Sequence, residues 1–249
     1  TLTAGNAGAL NSGTPNALTF GANSTGIFQL NGNTITVPAL NTGSPVGTPV
    51  IENGTAGTAT LTVSTSGADV FEGIIQDGAA GTLAVIKSGS GSLSLNANST
   101  FTGGITVSAG ALNINSSTAI GSGALTIAGG TIDNTSGLPV TLANNNSQNW
   151  TGDFAFGGGN DLDLGTGAVT LNAHRQVTVN ANTLTVGGIL NNPARDLTKA
   201  GNGNLAFGAN PVTVNNLVVS AGTFTAPSGN LTIGGNFSNA GTFVHNGGT

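Results

Sequence analysis

A short apolar–polar–apolar triplet returns along most of the chain, and no other feature constrains the fold as tightly. Leu83-Ala84-Val85, Leu93-Ser94-Leu95, Ile105-Thr106-Val107, Leu112-Asn113-Ile114 and Leu125-Thr126-Ile127 come first. Val140-Thr141-Leu142, Phe154-Ala155-Phe156, Leu162-Asp163-Leu164, Val169-Thr170-Leu171, Val177-Thr178-Val179 and Leu184-Thr185-Val186 carry the series on. Leu205-Ala206-Phe207, Val212-Thr213-Val214, Leu217-Val218-Val219 and Leu231-Thr232-Ile233 close it. Alternation with a period of two describes a strand with one buried face and one solvent face. Between the triplets stand Gly121-Ser122-Gly123, Gly157-Gly158-Gly159-Asn160, Gly187-Gly188 and Gly201-Asn202-Gly203, which supply tight turns.

Strands this short make no stable isolated hairpin. Stacked as a coil, each pairs with the strand above and the strand below, and the inward residues merge into one core. The expected fold is therefore all-β, a single-stranded parallel β-helix or β-solenoid with about three short strands per turn. A sandwich or jelly roll is the competing architecture, but its strands are longer and more widely spaced. Three strands at this spacing take roughly 20–25 residues, giving about ten to twelve turns and a rod on the order of 50 Å long at ~4.8 Å per strand. Residues 1–249 read as one solenoid domain, with loop-rich stretches near 38–50 and 144–149.

Composition agrees and excludes several functions. Charged residues make up 5% of the chain, too few to clothe exposed helices. Disorder is not implied, because 37% of residues are apolar and the net charge is only −5. The four cations, Lys87, Arg175, Arg195 and Lys199, form no basic footprint for nucleic acid. The absence of Cys excludes disulfides and thiolate metal sites. No apolar run approaches the ~20 residues of a membrane-spanning helix. The sequence, which starts at Thr1 and lacks Met, reads as a mature protein or an excised piece.

One stretch resembles a known family. It runs Lys87-Ser88-Gly89-Ser90-Gly91-Ser92-Leu93-Ser94-Leu95, then Asn98-Ser99-Thr100-Phe101-Thr102-Gly103-Gly104-Ile105-Thr106-Val107, then Ala109-Gly110-Ala111-Leu112. This is similar to the autotransporter-associated β-strand repeat. The lead-in from Phe71 to Gly78 resembles what precedes such repeats. A degraded second copy runs from Leu197-Thr198-Lys199-Ala200-Gly201-Asn202-Gly203-Asn204-Leu205 to Ser220-Ala221-Gly222-Thr223-Phe224, without the Phe-Thr-Gly-Gly element. The resemblance implies a parallel β-helix passenger region of a large bacterial surface protein, extracellular or on the cell surface. It brings no catalytic residues with it.

Candidate sites are few. Lys87 and Lys199 share one repeat position; they read as solvated residues beside turns, the alternative being a cationic ladder for a polyanion. Asp161 and Asp163, after Gly157-Gly158-Gly159-Asn160, resemble one imperfect Ca²⁺ repeat, but such sites need tandem copies, so a polar turn is expected. The nine acids are scattered, although Asp133, Asp153 and Asp161 fall near the middle, where stacking could bring two together. His174-Arg175 is an adjacent pair, and His245 stands near one end. Trp150 and the ten Phe read as core. Thr106, Thr126, Thr141, Thr170, Thr178, Thr185, Thr213 and Thr232 occupy triplet centres, where Thr suits a solvent face. Aligned on one flat face they would resemble an ice-binding surface. Sequons such as Asn98-Ser99-Thr100 are expected by chance.

The chain is thus expected to be a structural or adhesive extracellular rod, with no catalytic site, cofactor or metal. The alternative is a ligand-binding solenoid that takes glycan or ice through its outward Thr face. The expected partners are further copies end to end, or continuation into a longer passenger, and possible partners include other surface proteins or glycans. The reason is that residues 229–249 keep the repeat style without an acid, Lys or Arg, with Phe237 and Phe243 available as inward residues, and residues 1–14 are likewise uncharged.

Overall fold

A computed structural model describes residues 1–249. It contains strands, turns and bends and no helix, and its strands pair in parallel. The fold is a β-solenoid of about 11 turns. The chain forms two compact units, Thr1–Leu125 and Thr126–Thr249.

In the first unit, one face stacks Thr34–Val37, Gly57–Ser64, Gly81–Ser88 and Ile105–Val107. A second stacks Ala68–Phe71, Ser92–Leu95 and Ala111–Ile114, and a third stacks Leu2–Thr3, Ile27–Gln29, Val50–Glu52 and Ile74–Ile75. In the second unit, one face runs from Gln148–Trp150 through Val169–Leu171, Leu190–Asn192 and Val212–Val214 to Leu231–Ile233. Another runs from Thr131–Asp133 through Phe154–Phe156, Arg175–Val179, Leu197–Ala200 and Leu217–Val219 to Phe237–Asn239. Its third runs from Val140–Thr141 through Leu162–Asp163, Thr183–Val186, Asn204–Phe207 and Thr223–Thr225 to Thr242–Val244.

Aligned residues in successive coils lie from 19 apart, as in Leu93↔Leu112, to 26 apart, as in Leu2↔Phe28. Strict stacking makes inward side chains columns of like residues: Ile35, Leu61, Val85 and Ile105 follow one another, as do Leu197 and Leu217. The triplet ends Leu93, Leu95, Leu125, Ile127, Val177 and Val179 are all buried, while the centres Thr106, Thr126 and Thr178 are half-exposed. Ser94 departs from the pattern: it is buried, and its Oγ accepts a hydrogen bond from Asn113 Nδ2 at 2.9 Å. Trp150 is fully buried, edge-on to Phe154 with ring centroids 5.1 Å apart, and its Nε1 donates to Gln148 Oε1. Eight of the ten Phe are core. Phe237 is 46% exposed and Phe243 half-buried, because the coil that carries them packs on one side only, Phe243 stacking on Phe224 at 6.0 Å.

Candidate functional site: lysine-centred corners

Lys87 and Lys199 correct the expectation of solvated turn residues, and neither belongs to a surface ladder. Both are fully buried. The alternation explains it: Leu83, Val85 and Lys87 share the inward phase of Gly81–Ser88, and Leu197 and Lys199 share that of Leu197–Ala200. Each lysine replaces a valine in an aliphatic column. Val63, Lys87 and Val107 stack in one, and Val177, Lys199 and Val219 in the other.

The stem lies in the core while the ammonium reaches the corner that follows its strand. Lys87 Nζ donates to Ser88 O at 2.8 Å, Gly89 O at 3.1 Å and Ala109 O at 3.1 Å. Lys199 Nζ donates to Ala200 O at 2.8 Å, Gly201 O at 2.7 Å and Ala221 O at 3.1 Å. The three acceptors sit at the same offsets in both copies, two in the lysine's own corner and one a coil later. Three N–H groups thus meet three carbonyls that burial would otherwise leave without water.

The glycines make room for this. Gly89 and Gly110, like Gly201 and Gly222, have φ between +65° and +79°, a conformation that disfavours side chains. A Cβ on Gly110 would lie 2.2 Å from Gly91 O and 2.7 Å from Lys87 Nζ, and one on Gly222 would lie 2.4 Å from Gly201 O. The Lys-x-Gly-x-Gly run and the later Ala-Gly are therefore two halves of one corner.

Electrostatics separate the two copies. Burial pushes both ammonium groups below their ordinary value of 10.5. At Lys87 the Asp69 carboxylate opposes that push; Lys199, with burial alone acting, is drawn down to about 8. Asp69 is aligned with Leu93 on the coil below it, whereas the matching partner of Leu205 is Leu184. Asp69 is itself buried and accepts from Leu40 N–H at 2.9 Å and Asn41 Nδ2 at 3.0 Å.

Arg175 treats another corner the same way. Its Nε donates to Trp150 O at 3.1 Å, and Nη2 donates to Thr151 O at 2.7 Å and to Asn172 Oδ1. Nη1 donates to His174 O at 3.0 Å and lies 3.5 Å from Asp153 Oδ1. Three of the four cations thus cap carbonyls between or within coils.

The carboxylates are used similarly. Glu52 accepts from Gln29 and Gln76, Glu72 from Asn96, and Asp77 from Leu83 N–H and both the N–H and hydroxyl of Thr102. Asp196 accepts from Asn215 Nδ2 and from the N–H and Nδ2 of Asn216. Asp133, Asp153 and Asp161 do not converge: they accept from Gly159, Gln176 and Thr183 backbone N–H groups respectively. Asp163 accepts from Gly165 N–H, so Asp161 and Asp163 serve separate turns. No group of three or more His, Asp or Glu side chains is placed to hold a metal ion. His174 Nδ1 lies 2.9 Å from Asp196 Oδ2, and His245 hydrogen-bonds Gly248 O at 2.6 Å. An open cavity of about 410 Å³ is lined by Glu52, Gln76, Asp77, Gly78, Ala79 and Thr100, with both acids already engaged.

The outward Thr residues do not share one face. In the second unit Thr126, Thr170, Thr213 and Thr232 lie on the face of Val169–Leu171, with Asn149 and Asn191 between them, and Thr106 lies on the face of Gly81–Ser88 in the first. Thr178 lies on another face and Thr141 and Thr185 on the third.

These features define a parallel β-solenoid whose ionic groups brace its corners. Within it, residues 85–114 match the family model of the passenger-associated-transport-repeat. That segment opens two residues before Lys87 and closes at the end of the strand Ala111–Ile114, so it spans the first lysine corner. The chain therefore carries a repeat of the autotransporter passenger type, whose architecture is that of secreted or cell-surface proteins. Comparison with curated proteins and with solved structures gives no match. The second corner reproduces the geometry of the first at Lys199, outside the matched residues.

Proposed function

We propose that the chain is a non-catalytic structural segment of a bacterial surface passenger, a stiff β-solenoid that carries or spaces adhesive surface and associates end to end. One observation carries this reading. All nine carboxylates and three of the four cations are engaged by hydrogen bonds that tie backbone or neighbouring coils together. Chemistry needs ionisable groups left free to face a shared space. Asp153, His174, Arg175 and Asp196 do line one open cavity of about 250 Å³, but there Arg175 is spent on the Trp150 and Thr151 carbonyls and Asp196 on Asn215 and Asn216. Supporting end-to-end association or continuation into a longer passenger, Leu231–Ile233, Phe237–Asn239 and Thr242–Val244 each pair along one edge only, and Phe237 and Val244 are 46% and 41% exposed. Unpaired parallel edges over an apolar interior favour addition of further strands.

Electron microscopy and light scattering of the purified chain over rising concentration test this. Particles that lengthen at constant width are expected. A monomer that persists at high concentration contradicts the association, and a hydrolytic activity that survives purification contradicts the structural role.

A further inference from the structure

We infer that each lysine-centred corner is a register lock: an internal ammonium that dictates which residue of the next coil stacks on the corner below. The inference goes beyond the surface-protein reading and stands independently of it.

Apolar patterning alone leaves the register of a solenoid underdetermined. A slip of one residue between stacked strands turns every inward side chain outward and is strongly resisted. A slip of two residues keeps inward residues inward. In the column Val177, Lys199, Val219, such a slip exchanges Val219 for the similar-sized Leu217 in one direction and for the smaller Ala221 in the other, and both remain apolar. Hydrophobic burial penalises that error weakly. The ammonium penalises it strongly. Two residues along a strand is about 6.6 Å, which carries Ala221 O out of reach of a fully buried Lys199 Nζ that now holds it at 3.1 Å. In the slipped state the carbonyl of Val219 or Thr223, each within a strand, stands in for the Ala221 carbonyl at the corner that Gly222 turns, so the three-acceptor corner geometry around the buried charge is disturbed.

The glycines act with the lysine. Gly222 approaches so closely that its Cβ would lie 2.4 Å from Gly201 O and 2.6 Å from Gly203 O; Gly110 stands in the same relation to Gly89 O at 2.4 Å and Gly91 O at 2.2 Å. A slip would place a residue with a side chain at that point. The lock is therefore read from both coils, the ammonium from one and the bare Cα from the other. Its two copies use acceptors at identical offsets, the distant one 22 residues on in each. It needs no specific neighbour beyond this, since Asp69 at the first copy is replaced by Leu184 at the second.

The absence of cysteine from the chain permits a direct test by disulfide trapping. Thr198 and Val218 are aligned neighbours, so Thr198→Cys with Val218→Cys reports the native register. Thr198→Cys with Ser220→Cys reports a two-residue slip. Introducing Lys199→Met, which keeps an apolar stem, is expected to raise the slipped cross-link at least tenfold. Val219→Met, a change in the same column, is expected to leave it at background. Retention of only the native cross-link in Lys199→Met, or equal slippage in both variants, overturns the inference. If Lys199→Met does not fold, Lys199→Ala supplemented with propylammonium decides the matter. Recovery of the native cross-link with propylammonium, and not with tetramethylammonium, which has no N–H to donate, supports the lock. Recovery with both or with neither overturns it.

Discussion

The corner at Lys87 and the corner at Lys199 present the same three carbonyls to the same cation, yet one has an acid within its electrostatic reach and the other a leucine in its place. Asp69 opposes the desolvation of Lys87; Lys199 has no such help and is drawn down to about 8. The comparison separates two contributions that a single copy would confound. Hydrogen bonds to carbonyls hold the ammonium in place, and a nearby carboxylate only sets how readily it keeps its proton. The geometry is conserved between the copies while the electrostatics are not, so geometry is the part that the fold requires.

The largest effects calibrate the comparison from outside it. Leu125→Asp puts a charge where the side chain is fully buried and removes burial worth roughly 1.5–3 kcal/mol, so it abolishes folding, while Thr126→Asp on the outward face is tolerated. Circular dichroism of the two variants checks this, and equal damage from both contradicts the strand register. Next come the glycines. Gly110→Ala and Gly222→Ala are each expected to cost more than the ~1–3 kcal/mol of a left-handed non-glycine residue, because the new Cβ also overlaps a carbonyl. Gly5→Ala, with nothing within 4 Å, is expected to be neutral in the same urea titrations. A large loss at one corner and none at the other would break their equivalence.

Much of this was legible in the sequence. The triplets gave the strand phase, and Gly-Asn clusters gave the corners, because in a solenoid each local pattern maps onto one inward or outward direction. Trp150 and eight of the Phe lie in the core, where their bulk suggested. The lysines were misread because Lys is rarely buried, and a residue beside a Gly-rich turn is usually solvated. The signal was nevertheless present: Leu83-x-Val85-x-Lys87 and Leu197-x-Lys199 both put Lys on the apolar phase. What no sequence pattern displayed was the third carbonyl, since Ala109 and Ala221 are brought to the ammonium only by the stacking of the next coil. The scattered acids were hidden for the same reason: their partners, such as Thr102 for Asp77 and Asn96 for Glu72, lie about a coil away.

Smaller effects sharpen the electrostatic half of the comparison. Asp69→Asn removes the charge that supports Lys87, so the Lys87 ammonium is expected to release its proton at lower pH, approaching Lys199, which stays unchanged. A shift of both lysines, or of neither, contradicts the pairing of Asp69 with Lys87.

Stability should also follow pH. The unfolded chain keeps the Lys199 proton up to its ordinary 10.5, and the folded one only to about 8. Between those values the unfolded state binds more protons, so stability rises with pH and levels off above 10.5. Lys87 acts in the same direction, with Asp69 opposing. The chain has no Tyr or Cys side chain to obscure this window. On the acid side the effect is weaker. Desolvation raises the Asp196 carboxyl, but bonds from Asn215 and Asn216 and the charge on His174 more than offset it, leaving its value below 3.8. Its contribution is present above the ordinary value and is lost as pH falls through the lowered one.

The central claim is that the lysines are internal cations of the scaffold, and nitrogen-detected NMR of the two Nζ groups in the intact chain tests it most directly. The account predicts slowly exchanging ammonium signals with couplings through hydrogen bonds to the carbonyl carbons of Ser88, Gly89 and Ala109 for Lys87, and of Ala200, Gly201 and Ala221 for Lys199. On titration Lys199 is expected to lose its proton near pH 8, with Lys87 following at a higher pH, still below 10.5. Fast-exchanging signals without those couplings, both titrating at 10.5, would place the lysines in solvent and contradict the account.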